Sequence, residues 1–311
     1  MKLFNSIKTV ASKLKAGGGC HLPLYLLWQQ EYRFLMSLIY IISATCFMFV
    51  FVIESKDDRA LEEQQSALRE NMQEVIESVE GIESVTDLVS TEIIVDANPD
   101  ISDNSTMLPE YEALYEQNND FAGWLRIEDT VIDYPVMQHL EDENYYLTRG
   151  FDKKENKNGC LILDNDSNPG VGTAKDQYAD GSKPSTNLII HGHTMKSGQM
   201  FGKLSLYEDK EYGMSHNIIC FDTLYEKREY ELIAVFYSQV YYKSDQVFKY
   251  YKFFQADTQE EFDDWYNNIK KMSLYDTGVT AELGDEFITL SACAYHVEDG
   301  RFVVVGKRVD N

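Results

Sequence analysis

Three polar residues stand at the ends of apolar runs and together could carry out acyl transfer. Cys293 closes the run Thr289-Leu290-Ser291-Ala292-Cys293, and Arg301 opens Gly300-Arg301-Phe302-Val303-Val304-Val305-Gly306. His193 lies in His191-Gly192-His193-Thr194, which follows an apolar run far upstream. A thiolate attacks a peptide carbonyl, an imidazole hands a proton to the departing amine, and a fixed cation holds the oxygen on which negative charge develops. If the strands before Cys293 and after Arg301 are antiparallel neighbours, the short loop between them returns the guanidinium to the thiol. Lysine would serve less well than Arg301, because the planar fork can hold an oxygen and a second acceptor together. Taken singly, each residue also has an ordinary reading: a buried structural thiol, a loop histidine, a strand-edge charge.

The elements that must position these groups follow from the pattern beyond Pro109, where short β-type runs are separated by turn formers, as in an all-β barrel or sandwich. Strands are expected over 121–127, 131–137, 160–163, 187–190, 217–221, 229–240, 286–290 and 302–307. Two helices interrupt them. One is short, over 110–117; the other covers 258–272, where Phe262, Trp265, Tyr266 and Ile269 recur at helical spacing behind a Thr258 to Glu261 capping pattern. That aromatic stripe reads as core.

Upstream, residues 34–53 carry no charge, and about 20 such residues suffice to cross a bilayer. Lys2, Lys8, Lys13, Lys15 and Arg33 precede this run, whereas Glu54, Asp57 and Asp58 follow it, so the positive-inside rule places the N-terminus in the cytoplasm. The rival, a cleaved signal peptide, lacks a small-x-small site after the run. The expected organisation is a cytoplasmic segment at 1–33, a membrane anchor at 34–53, an acidic helical stalk and linker at 54–108, and a globular domain at 109–311. Leu61, Leu68, Met72, Val75, Val79 and Ile82 form one apolar stripe on the stalk, suited either to a coiled-coil dimer or to a neighbouring surface. Gly81 and the turn-forming stretch from Asp96 to Thr106 read as linker.

The net charge of −24 excludes a nucleic-acid partner, since phosphate binding needs clustered Lys and Arg. Five cysteines without C-x-x-C spacing indicate neither a zinc site nor a disulfide framework. Cys160 and Cys220 sit within apolar runs, as buried thiols do. Cys293 instead ends a strand and precedes a polar loop.

The segments around Cys293, His193 and Arg301 resemble the active-site motifs of sortases: Thr289 to Cys293 is similar to that family's Thr-Leu-x-Thr-Cys, and Gly192-His193 to its histidine segment. Class B is resembled by Asn119-Asp120-Phe121-Ala122-Gly123-Trp124-Leu125, Ile132-Asp133-Tyr134-Pro135-Val136-Met137-Gln138, His193-Thr194-Met195 with Met200-Phe201-Gly202, and Ser273-Leu274-Tyr275-Asp276-Thr277-Gly278, and by the helix around Trp265. The resemblance implies a mainly β fold: an eight-stranded sortase-type barrel with N-terminal helices and a helix inserted before the last two strands. It also implies a cysteine transpeptidase, held on the outer face of a Gram-positive membrane by one helix and needing no metal or cofactor. Such an enzyme cuts a Pro-x-Thr type C-terminal sorting signal of surface proteins through a thioacyl intermediate on Cys293, with His193 as acid/base and Arg301 as oxyanion stabiliser. The acyl group passes to an amine of peptidoglycan or its lipid-linked precursor. Two positions depart from the pattern: Ala292 stands where threonine is usual, and His191 where tyrosine is common. His191 is therefore a second imidazole on the side of His193, and His296 is a third, in the loop after Cys293. The rival readings are a thiol hydrolase of the same fold and a non-catalytic extracellular binding or assembly domain.

Overall fold

The computed structural model describes residues 22–89, 106–173, 178, 183–294 and 297–309. The lysines of the N-terminal flank, the acidic linker from Asp96 to Ser105 and His296 lie outside the described residues.

The chain divides into two compact units, Met1–Lys56 and Asp57–Asn311. Helix α1 (Leu22–Val89) begins in the first and continues into the second, running through Gly81; one glycine costs a helix only about 1 kcal/mol. In the first unit the side chains from Phe34 to Ile53 are exposed apart from the half-buried Met36, Phe34 and Phe47 by 70% and 71%. Among the described residues this is the one helix long and apolar enough to cross a membrane.

In the second unit, the stripe residues Leu61, Leu68 and Met72 of α1 lie against the unit's own core, while the side chains of Val79 and Ile82 lie outside the described residues. Leu61 joins the cluster that fills the barrel, while Leu68 packs with Tyr111, Trp124 and Phe121. Polar bonds fix the same face: Arg69 Nη1 donates to the Asp133 carbonyl at 3.2 Å and Asn158 Nδ2 to Asp58 Oδ1 at 3.2 Å. Of the two placements open to this stripe, the structure shows the neighbouring surface, and that surface belongs to the same chain.

Eight strands close a barrel: β1 (Phe121–Arg126), β2 (Asp133–Met137), β3 (Leu161–Leu163), β4 (Asn187–Gly192), β5 (Ile218–Thr223), β6 (Glu229–Gln239), β7 (Phe287–Cys293) and β8 (Gly300–Arg308). Their order around the wall is β1-β2-β3-β4-β7-β8-β6-β5. The pairs β2/β3 and β4/β7 are parallel and the others antiparallel. Parallel neighbours require long crossovers, and these carry much of what surrounds the site.

Alternation along β7 and β8 divides inside from outside. Ile288, Leu290, Ala292, Phe302 and Val304 face the barrel interior, and Phe287, Val303 and Val305 face outward. Helix α2 (Pro109–Gln117), with Pro109 in its first turn, rests on β1 through Tyr111 and Leu114. A short helix, α3 (Lys210–Ser215), precedes β5 and has no counterpart in the sequence reading. Helix α4 (Gln259–Met272) packs on β6 and covers the outward apolar face that β6 shares with β7 and β8. Thr258 and Glu261 form its capping box, and Trp265 stacks on Phe253 with ring centres 4.3 Å apart and meets Phe287 edge-on at 4.8 Å. The aromatic stripe of the sequence is thus core, and the helix stands immediately before the last two strands.

Candidate active site

Strand parity and register assemble the site. Cys293 ends β7 directly opposite Arg301 on antiparallel β8. Parallel β4 lies on the other side of β7, with His191 opposite Ser291 and Gly192 opposite Ala292. The next residue on each strand is His193 and Cys293, and neighbouring strands are about 4.8 Å apart. Because Ile190, Ala292 and Phe302 point inward, His191, His193, Ser291, Cys293 and Arg301 fall on the outer face. All five line one cavity of about 400 Å³, closed on its other side by Glu143, Asn144 and Leu147 from the β2–β3 crossover and by Ile162 and Asp164 at β3.

The structure therefore brings Cys293, His193 and Arg301 to the same rim. Each is half-buried. A larger cavity, about 470 Å³, lies between α1 and the β1–β5 wall and includes Cys220, but no histidine lines it. Burial pushes the Cys220 thiol up despite Arg126 beside it, and burial does the same for Cys160. Among the described residues no group of histidine, cysteine and carboxylate side chains is placed to hold a metal ion.

His193 and Arg301 are each oriented by a bond to the backbone. His193 Nε2 lies 2.8 Å from the Leu147 carbonyl; a carbonyl only accepts, so Nε2 carries the hydrogen and Nδ1 is left to exchange a proton. The His193 carbonyl accepts the Phe201 N–H at 3.0 Å, which ties this segment to the loop beyond it. Arg301 Nη1 donates to the carbonyls of Asp299 and Gly300 at 3.2 and 2.9 Å, fixing the plane of the guanidinium. Thr194 Oγ1 donates to the Cys293 carbonyl at 2.5 Å, joining the end of β7 to the continuation of β4.

Four further groups escaped the sequence reading. Two of them are Thr194, which the sequence reading quotes beside His193 without a role, and the Leu147 carbonyl, which nothing in local sequence marks. Tyr250 is the third: its hydroxyl lies 2.7 Å from Ser291 Oγ. Burial pushes its phenol up to about 12, so it remains a neutral hydroxyl. The fourth is Asp164, whose Oδ2 lies 3.0 Å from His191 Nε2; a carboxylate just past an apolar run was a signal available in the sequence.

Ala292 has a simple structural setting. It is buried to 2% and faces the barrel interior, so a hydroxyl at this position would point away from the cavity that Cys293 faces.

No family model matches the sequence. The chain is 30% identical over 208 residues to Sortase B of Listeria monocytogenes, an alignment covering 66% of this chain and 76% of that protein. It is 25% identical over 205 residues to Sortase B of Staphylococcus aureus, covering 64% and 74%. Among solved structures it is similar to sortase B from Bacillus anthracis in complex with AAEK1, with 30% identity, a TM-score of 0.53, and coverage of 66% of this chain and 86% of that one. The Staphylococcus aureus sortase B–substrate complex matches with a TM-score of 0.59 over 83% of this chain and 99% of that one; at 21% identity the likeness is one of fold.

Proposed function

The chain belongs to the sortase B family of cysteine transpeptidases, and from that premise we propose that it transfers the C-terminal sorting signal of surface proteins to an amine of the cell wall, with Cys293 as nucleophile. The observation that carries this reading is the rung between Cys293 and Arg301 with His193 beside it, all three facing one cavity.

In the first half-reaction the Cys293 thiolate attacks the carbonyl carbon of the threonine in a Pro-x-Thr signal. Arg301 faces the oxygen that becomes negative; a preorganised donor of this kind lowers the barrier by about 3 to 4 kcal/mol. Collapse expels the amine, which takes a proton from His193 Nδ1, the nitrogen left free by the Leu147 carbonyl. The acyl group now sits on sulfur as a thioester. An amine of peptidoglycan or its lipid-linked precursor attacks that thioester, His193 recovers a proton, and the thiolate departs. A relative from Staphylococcus aureus was solved with a substrate bound, which supports a peptide signal as the donor.

The charge-free segment at 34–53 and the acidic flank after it support a single-pass anchor with the barrel outside the cell. Full-length protein in detergent, given a Pro-x-Thr signal peptide with and without an amine acceptor, tests the reaction by mass spectrometry. A peptide–acceptor adduct and a thioacyl mass on Cys293 are expected; product that never contains the acceptor would leave a hydrolase instead. Labelling of Cys293 on intact cells by a membrane-impermeant thiol reagent tests the topology.

A further inference from the structure

An acceptor amine arrives at neutral pH as an ammonium ion, and to become an amide nitrogen it must shed two protons. After the first half-reaction His193 is neutral and can take only one of them, which restores its imidazolium beside the released thiolate. A second base within the same cavity would take the other proton on the enzyme, so that transfer need not draw on the small fraction of amine already neutral in solution.

His191 is placed for that task. It precedes His193 by two residues on β4, shares its outer face, and lines the cavity with Cys293 and Arg301. Its Nε2 lies 3.0 Å from Asp164 Oδ2. Asp164 is itself fixed: Oδ1 accepts the Asp166 N–H at 3.0 Å, and its backbone carbonyl accepts Gln138 Nε2 at 3.0 Å. Burial raises the Asp164 carboxyl, but the bonds from His191 and the Asp166 N–H outweigh it and hold the group below the usual carboxylate range. An ionised carboxylate only accepts, so it fixes the hydrogen on Nε2 and leaves the lone pair of His191 on Nδ1. Among the described residues no hydrogen-bond partner occupies that nitrogen. The His191 side chain is 34% exposed, which gives a captured proton a route to water.

We propose that His191, oriented by Asp164, is the base that takes the first proton from the acceptor ammonium; this rests on the transpeptidation set out above. The step balances. Ammonium plus His191 gives free amine plus imidazolium, and the amine nitrogen then bonds to the thioester carbon. As the C–S bond breaks, its electron pair leaves on Cys293 sulfur, the second N–H proton passes to His193, and His191 releases its proton to solvent. Asp164 is a positioning residue in this scheme.

The test compares two acceptors with full-length His191→Phe and Asp164→Asn variants. Triglycine is an ammonium at neutral pH, whereas hydroxylamine is mostly unprotonated there and has no need of the first base. With a signal peptide and rapid quenching, thioacyl formation is followed separately from its decay. In both variants transfer to triglycine is expected to fall at least about 10-fold more than transfer to hydroxylamine. Unchanged transfer to triglycine overturns the proposal, and so does equal slowing with both acceptors, which would mark a disturbed site rather than a missing base. Failure of the wild-type protein to form any thioacyl adduct would instead remove the transpeptidase reading beneath it.

Discussion

The outer faces of β7 and β8 change character along their length. Toward the start of β7, Phe287 and Val305 lie in the apolar cluster of α4 and are fully buried, and Val303, opposite Ser291, ends that cover. Toward its end the same face carries Ser291, Cys293 and Arg301, and the helical cover is replaced by a cavity. Tyr250 marks the border, its ring in the apolar cluster and its hydroxyl on Ser291. Both halves use the same ladder and the same pleat. What separates them is cover: a sheet face sealed by a helix must be apolar, whereas a face left open can hold a thiol, an imidazole and a guanidinium without the cost of desolvating them fully.

Substitutions on the two halves should therefore fail in different ways. Cys293→Ala is expected to lower transpeptidation by a factor on the order of 10^4 or more while the melting temperature stays put, measured by product formation and thermal unfolding of the same sample. Trp265→Ala should do the reverse, destabilising the fold by about 3 to 5 kcal/mol in chemical denaturation with modest loss of rate for molecules that remain folded. Were it to abolish the rate without loosening the fold, the division between the halves would be wrong. Arg301→Lys keeps the charge but loses the fork, and should slow thioacyl formation by about 100-fold with little change in stability. Tyr250→Phe, on the border, leaves the buried Ser291 hydroxyl without its partner and should cost about 1 to 3 kcal/mol, with a smaller effect on rate than Arg301→Lys. Selective alkylation sharpens the contrast: Cys293 should react well before Cys160, whose thiol is buried and pushed up.

Much of this architecture is legible in the residues themselves. The eight strands follow from short β-branched and aromatic runs between turn formers, and the two-residue period explains why His191, His193, Cys293 and Arg301 share a face. The Cys293–Arg301 rung was readable because a short loop joins two adjacent strands. The pairing of β4 with β7 was not, since a parallel contact between distant segments leaves no local mark. The same holds for the Leu147 carbonyl and Tyr250, which reach the site from crossovers whose paths are set by tertiary packing. On α1 the ambiguity was of another kind: the stripe through Leu61, Leu68 and Met72 suits a second helix as well as a barrel wall, and only the fold decides between them.

The hydroxyl of Thr194 grips the Cys293 carbonyl one step beyond the last rung between β4 and β7. Strand ends fray first, and here that fraying would have to break an extra clasp shared by both chemical partners. Imidazole and sulfur are consequently fastened to a common hinge pin, so that when the rim breathes they swing together and their separation is the last distance to drift.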